Sequence, residues 1–138
     1  MINNAPVKES ANLIIHAYEE SELPSSYTVV ETLKIKILSA HETIGFICRR
    51  DDVVFVVFRG TETIYDWVIN SEIKPDVVTD IHGGFWSLAK QLLPIVQSAI
   101  IRLGNCQVYF TGHSLGGSLA TIIGNLVDCQ EKIGRAHV

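Results

Sequence analysis

Apolar and polar positions alternate along the chain in patterns that predict a β/α architecture. Val7, Ala11, Ile14, Ile15 and Tyr18 recur at helical spacing, which predicts an amphipathic first helix beginning near Asn4 and Pro6. Residues 19–26 read as a loop, broken by Pro24 and two serines. Residues 28–38 mix β-branched residues with Glu and Lys, and the pattern leaves helix and strand open. Residues 44–49 alternate, with Ile44, Phe46 and Cys48 on one face, and Arg50-Asp51-Asp52 makes a polar turn. Residues 53–58, VVFVVF, are apolar without a break, as in a strand buried on both faces, and with residues 44–49 they look like a hairpin feeding a central strand.

After an irregular connection at 75–81, Phe85, Leu88, Leu92, Val96, Ala99 and Leu103 form one stripe. This predicts a helix stopped by Gly104, with a kink expected at Pro94 because a backbone donor is lost there. Residues 107–111, QVYFT, predict a short strand, 112–117 a tight turn and 115–127 a helix with small residues at its packing face. No internal repeat or low-complexity tract interrupts the series.

The tight turn carries the chemistry. Gly112-His113-Ser114-Leu115-Gly116 fits G-x-S-x-G between a strand and a helix. A sharp strand-to-helix turn strains the backbone of its central residue and holds the serine Oγ at the mouth of the sheet. The opening N–H groups of the helix lack intrahelical partners and sit at the positive end of the dipole, so the Leu115 N–H can bind an oxyanion. The bland alternative is a glycine-rich turn kept for packing. At the end of the buried strand, Phe58-Arg59-Gly60-Thr61 offers a second donor through the Thr61 backbone N–H and hydroxyl, or is an ordinary strand-ending turn. In residues 63–70, TIYDWVIN, Ile64, Trp67 and Val68 share one helical face. That face either covers an apolar substrate site or packs Trp67 into the core. His82, before the long helix, reads as a structural hydrogen-bonder. So does His113, whose side chain points away from its neighbour Ser114. His16 and His41 read as incidental.

Composition narrows the partners. Hydrophobic residues at 47% and charged residues at 19% of 138 positions suit one packed domain. A net charge of −4 with no basic patch gives no support for nucleic-acid binding. No apolar run is long enough for a transmembrane segment, and no secretory signal is visible, so a cytoplasmic location is expected. Cys48, Cys106 and Cys129 are odd in number and widely spaced, which favours buried small side chains over disulfides or zinc.

FRGT, then DW, then IHGGF, then GHSLGGSLA, in this order and spacing, resembles the class 3 lipases, an α/β-hydrolase family. The resemblance covers about residues 44–127 and, weakly, the first helix. It implies an α/β-hydrolase-like, mostly parallel sheet flanked by helices. It also implies Ser114 as nucleophile, Thr61 and Leu115 as the oxyanion hole, and Ile64, Trp67 and Val68 at a lid or entrance. The position of Asn70 is often acidic in this family, so a contact there would differ. The implied substrates are acylglycerols, phospholipids or other carboxylic esters, with transient contact to a lipid surface and no cofactor or metal. A non-catalytic lipid- or protein-binding module and an acyltransferase remain alternatives.

In this fold the acid and the base follow the serine. Asp128 and Glu131 fall at the end of the nucleophile's own helix, and His137 is the only later histidine. Residues 133–138, IGRAHV, can be encoded by ATC GGA AGA GCA CAC GTC, a run like a short-read sequencing adapter. The expectation is therefore an incomplete hydrolase domain over 1–132 and a non-native tail, without triad Asp and His and without activity by itself. With later strands and helices missing, one face and one edge of the sheet are expected to lie open, exposing residues 53–58.

Overall fold

The computed structural model describes residues 5–19, 22–37, 40–69, 83–127 and 133–135. In order these form α1 (Ala5–Glu19), β1 (Thr28–Ile37), β2 (Ala40–Arg50), β3 (Val53–Phe58), α2 (Glu62–Ile69), α3 (Gly83–Leu103), β4 (Gln107–Gly112), α4 (Leu115–Leu126) and β5 (Ile133–Arg135). The strands lie side by side in chain order. The β1–β2 and β2–β3 pairs are antiparallel, and β3–β4 and β4–β5 are parallel. The described sheet is thus mixed, half antiparallel, where a mostly parallel one was expected. The β2–β3 hairpin turns at Asp51, whose φ of 55° is tolerated by its short polar side chain.

β1 is a strand. Leu33, Ile35 and Ile37 are buried, while Lys34 and Lys36 between them are exposed. The alternation is blurred upstream because the register with β2 shifts at Val30, between Val29 and Glu31. A second shift leaves Ile44 of β2 without a partner in β1, since Leu33 pairs with Gly45 and Lys34 with Thr43. Such a bulge re-aims a side chain. Ile44 accordingly joins the core on the α3–α4 side with Ile47, while Phe46 and Cys48 pack on the α1 side. The single face expected for Ile44, Phe46 and Cys48 is divided by this bulge.

β3 is the centre of the molecule. Val54 to Phe58 are each 0% exposed. The expectation that this strand lies open is overturned: β2 and β4 pair its two edges, Leu13, Ile14 and Ala17 of α1 cover one face, and α2, α3 and α4 cover the other. α1 presents Ser10, Leu13, Ile14 and Ala17 to the sheet and leaves Ile15 exposed, a rotation of the expected stripe. α3 runs through Pro94, which is exposed, and ends at Gly104, where φ is +74° and the N–H donates to Ile100 O. Among the described residues no helix is long and apolar enough to cross a membrane.

An ion pair ties α1 to the hairpin. Arg50 donates through Nε to Glu9 at 2.7 Å and through Nη2 at 3.0 Å, and the Tyr27 hydroxyl donates to the same carboxylate. The Arg50 bond holds the Glu9 carboxyl below its ordinary range; burial opposes this, and Tyr27 adds to it. Burial, with the bond to Glu9, pushes the Tyr27 hydroxyl up to about 12.

Candidate active site

Ser114 stands between the last residue pair of β4 and the first turn of α4 with φ 57° and ψ −120°. A non-glycine residue at such angles costs about 1–3 kcal/mol, so its surroundings must over-determine it. Two glycines do so. A Cβ at Gly112 would lie 2.2 Å from the Gly116 carbonyl carbon, and one at Gly116 would lie 2.4 Å from the Phe58 oxygen. The end of β4, the start of α4 and the end of β3 therefore pack backbone against backbone. Any side chain at 112 or 116 would force them apart.

That contact brings the β3 exit to the serine. A Cβ at Gly60 would come within 2.9 Å of Leu115 Cβ and 3.5 Å of the Leu115 nitrogen. Thr61 follows as the N-cap of α2. Its Oγ1 accepts the Ile64 N–H at 3.2 Å and its carbonyl accepts the Tyr65 N–H at 2.9 Å. A hydroxyl that accepts one bond still has its proton to give. On the other side, the Gly116 N–H donates to His113 O and the Ser118 N–H to Ser114 O. Among the described residues the Leu115 N–H makes no backbone bond, as the first donors of a helix lack internal acceptors. No acidic residue in the first turn of α4 competes for its positive end.

Gly60, Thr61, Glu62, Tyr65, Ser114 and Leu115 line one pocket of about 400 Å³, within the range of small-molecule sites. Ser114, Thr61 and Leu115, singled out in the sequence, thus share one cavity. Ile64 and Val68 do not reach it. They are 0% and 1% exposed in the main core, and Trp67 is half-buried against that core. Burial of Ile64 and Val68 contributes about 3–6 kcal/mol together, which anchors α2 on the core. The pocket side of α2 is formed by Glu62 and Tyr65, which sequence reasoning missed. Their signal was the complementary helical phase, one and four residues after Thr61.

The remaining candidates lie elsewhere. His113 is exposed beside Ser114, His41 is exposed on β2, and His16 lines a separate cavity of about 620 Å³ between α1 and the sheet. That larger cavity does not include Ser114. Asn70, His82, Asp128, Cys129, Glu131 and His137 fall outside the described residues, as does the connection at 75–81. Cys48 and Cys106 are buried thiols, and burial pushes Cys48 up to about 12. Among the described residues no group of three His, Cys, Asp or Glu could hold a metal ion.

The family model for lipase (class 3) matches residues 55–135. The chain belongs to the class 3 lipase family. The match includes most of β3, the Thr61 cap, the Ser114 turn and the β5 segment, which is the start of the tail read as non-native. Lipases of Rhizopus niveus and Rhizopus oryzae are 36% identical over 94 residues, 60% of this chain and 24% of theirs. A chloroplastic phospholipase A1 of Arabidopsis thaliana is 31% identical over 132 residues, 88% of this chain and 18% of its own. The chain thus spans a quarter or less of these curated relatives. Among solved structures, a Rhizomucor miehei lipase in its propeptide complex superimposes with a TM-score of 0.72 at 17% identity, over 99% of this chain and 52% of that one. Lipase II of Rhizopus niveus gives 0.65 at 20% identity, over 99% and 63%. At these identities the structures establish a shared fold, that of the α/β-hydrolase lipases.

Proposed function

We propose that this class 3 lipase chain carries the nucleophile and oxyanion half of a serine hydrolase of lipid carboxylic esters. The carrying observation is the backbone of Ser114, fixed at φ 57° in the pocket it shares with Thr61 and Leu115. The Ser114 Oγ attacks the ester carbonyl carbon. The negative charge that develops on the carbonyl oxygen meets the Leu115 N–H and the Thr61 N–H and hydroxyl. Collapse of the tetrahedral species expels the alcohol and leaves an acyl-serine, which water then cleaves to the free acid. The named relatives, lipases and a phospholipase A1, support acylglycerols or glycerophospholipids as the substrate class.

The proton of Ser114 must pass to a base. The pocket lining holds no histidine among the described residues. In this reading the base and its carboxylate belong to the part of the domain that this chain does not span, and the 138-residue chain alone does not turn over. In the full-length protein, hydrolysis of a short-chain nitrophenyl ester is expected to fall to background in Ser114→Ala. Unchanged turnover in that variant would refute the assignment.

A further inference from the structure

Of the residues in FRGT, Gly60 and Thr61 line the Ser114 pocket and Arg59 does not. Arg59 is nevertheless tied down on two sides. Its backbone N–H donates to Ile44 O of β2 at 2.6 Å, and its Nη1 donates to Ala17 O of α1 at 3.3 Å. The side chain is half-buried, turned under α1 instead of out to water. Ala17 lies in the last turn of α1, where carbonyls lack intrahelical donors and carry the negative end of the helix dipole. A guanidinium satisfies both needs at once. The direction of α1 matters too. Glu9, near its start, pairs with Arg50 at the hairpin, and Ala17 meets Arg59 at the far end of β3. β3 and β4 run parallel, with Phe58 opposite Gly112, so this far end is also the end that carries Ser114. Gly60, next in the chain, packs against Leu115. The bonds of Arg59 join α1, β2 and β3 on the strand side of Thr61, and they do not depend on where α2 lies.

We propose that Arg59 is a positioning residue for the oxyanion side of the site: by pinning the β3 exit to the C-terminal end of α1, it sets where Gly60 and Thr61 leave the sheet. The inference rests on Ser114 being the nucleophile and adds a residue that acts through Thr61. A donor stabilises an oxyanion when it lies within about 2.7–3.1 Å of it, so a slack strand exit weakens the Thr61 donor without removing it. The interaction forms as charge develops on the carbonyl oxygen, and the ground-state ester gains little from it. Loss of the tie is therefore read in kcat and not in KM. Arg59 itself touches neither the ester nor the Ser114 Oγ.

The test is a double-mutant cycle in the full-length protein, with a short-chain nitrophenyl ester as substrate. Arg59→Met keeps the length of the side chain and removes its charge and donors. It is expected to lower kcat by about tenfold, less than the roughly 10²-fold of a donor removed outright, with KM within about twofold of wild type. Arg59→Lys, which can still donate to the Ala17 carbonyl, should recover kcat to within about threefold of wild type. Because Arg59 acts through Thr61, the two losses should not multiply: Arg59→Met combined with Thr61→Ala is expected within about twofold of Thr61→Ala alone. Where Arg59→Met does not fold, Arg59→Gln carries the same comparison. A kcat within about twofold of wild type in the uncharged variant, or losses that multiply in the double variant, would overturn the positioning role while leaving the nucleophile standing. If wild type neither hydrolyses the ester nor is labelled on Ser114 by a fluorophosphonate, the nucleophile assignment fails and the role of Arg59 falls with it.

Discussion

Thr61 both caps α2 and lines the pocket that holds Ser114. Its oxygen caps α2 by accepting the Ile64 N–H, and that bond leaves the hydroxyl proton directed by an already ordered oxygen. In the full-length protein, Thr61→Ala is expected to lower kcat by about 10²-fold, the scale for one lost oxyanion donor, and to cost about 1 kcal/mol of stability from the lost cap. Thr61→Ser should spare both. A Thr61→Ala enzyme with kcat within about twofold of wild type would remove the hydroxyl from the oxyanion hole. Ser114, Thr61 and Leu115 were legible in the sequence because glycines at fixed offsets bracket them, and a glycine needed for backbone approach cannot be exchanged without a clash. Glu62 and Tyr65 were not legible. The apolar stripe of the same helix, Ile64, Trp67 and Val68, dominates its pattern, and a stripe marks what packs on apolar surface and leaves the polar phase of the helix unmarked.

At the scale of elements, periodicity succeeded where it was unbroken and failed where the backbone departs from regular pairing. β3 and α3 could be read directly from their apolar runs. β1 could not, because the shift at Val30 changes the phase of its alternation, and the bulge at Ile44 sends that residue to the opposite face from Phe46. The junction of α1 with the hairpin has its own signature in pH. Arg50 keeps the Glu9 carboxyl charged below its ordinary value of 4.5, so the unfolded chain binds the proton first as pH falls. Stability from Glu9 is therefore complete above about 4.5 and is lost as pH drops through the lowered folded value. Tyr27 acts with opposite sign: its contribution is complete below 10 and is lost as pH rises toward about 12. Denaturation midpoints measured against pH are expected to show the acid loss in wild type and a flatter acid limb in Glu9→Gln. An identical acid limb in both proteins would mean the pair contributes nothing across that window.

At the scale of the molecule, α1 and the β1–β2 hairpin matter more than their weak motifs suggested. They close one face and one edge over β3, so the strand that positions Thr61 is fully enclosed within the described residues. The α/β-hydrolase character was readable from the order of the motifs. The antiparallel β2–β3 hairpin was readable too, from the polar turn between its strands, but the antiparallel pairing of β1 was not, because the pattern of residues 28–38 left its type open. The result is a rigid seat for Ser114 beside Thr61 and Leu115, in a pocket whose polar side is set by α2. The most direct test of that account is covalent. The full-length protein is treated with a fluorophosphonate and digested, and the modified peptide is located by mass spectrometry. The account predicts one adduct, on Ser114 within GHSLGG, absent from Ser114→Ala and slowed in Thr61→Ala. An adduct on another serine, or no adduct in a folded protein that hydrolyses esters, would contradict it.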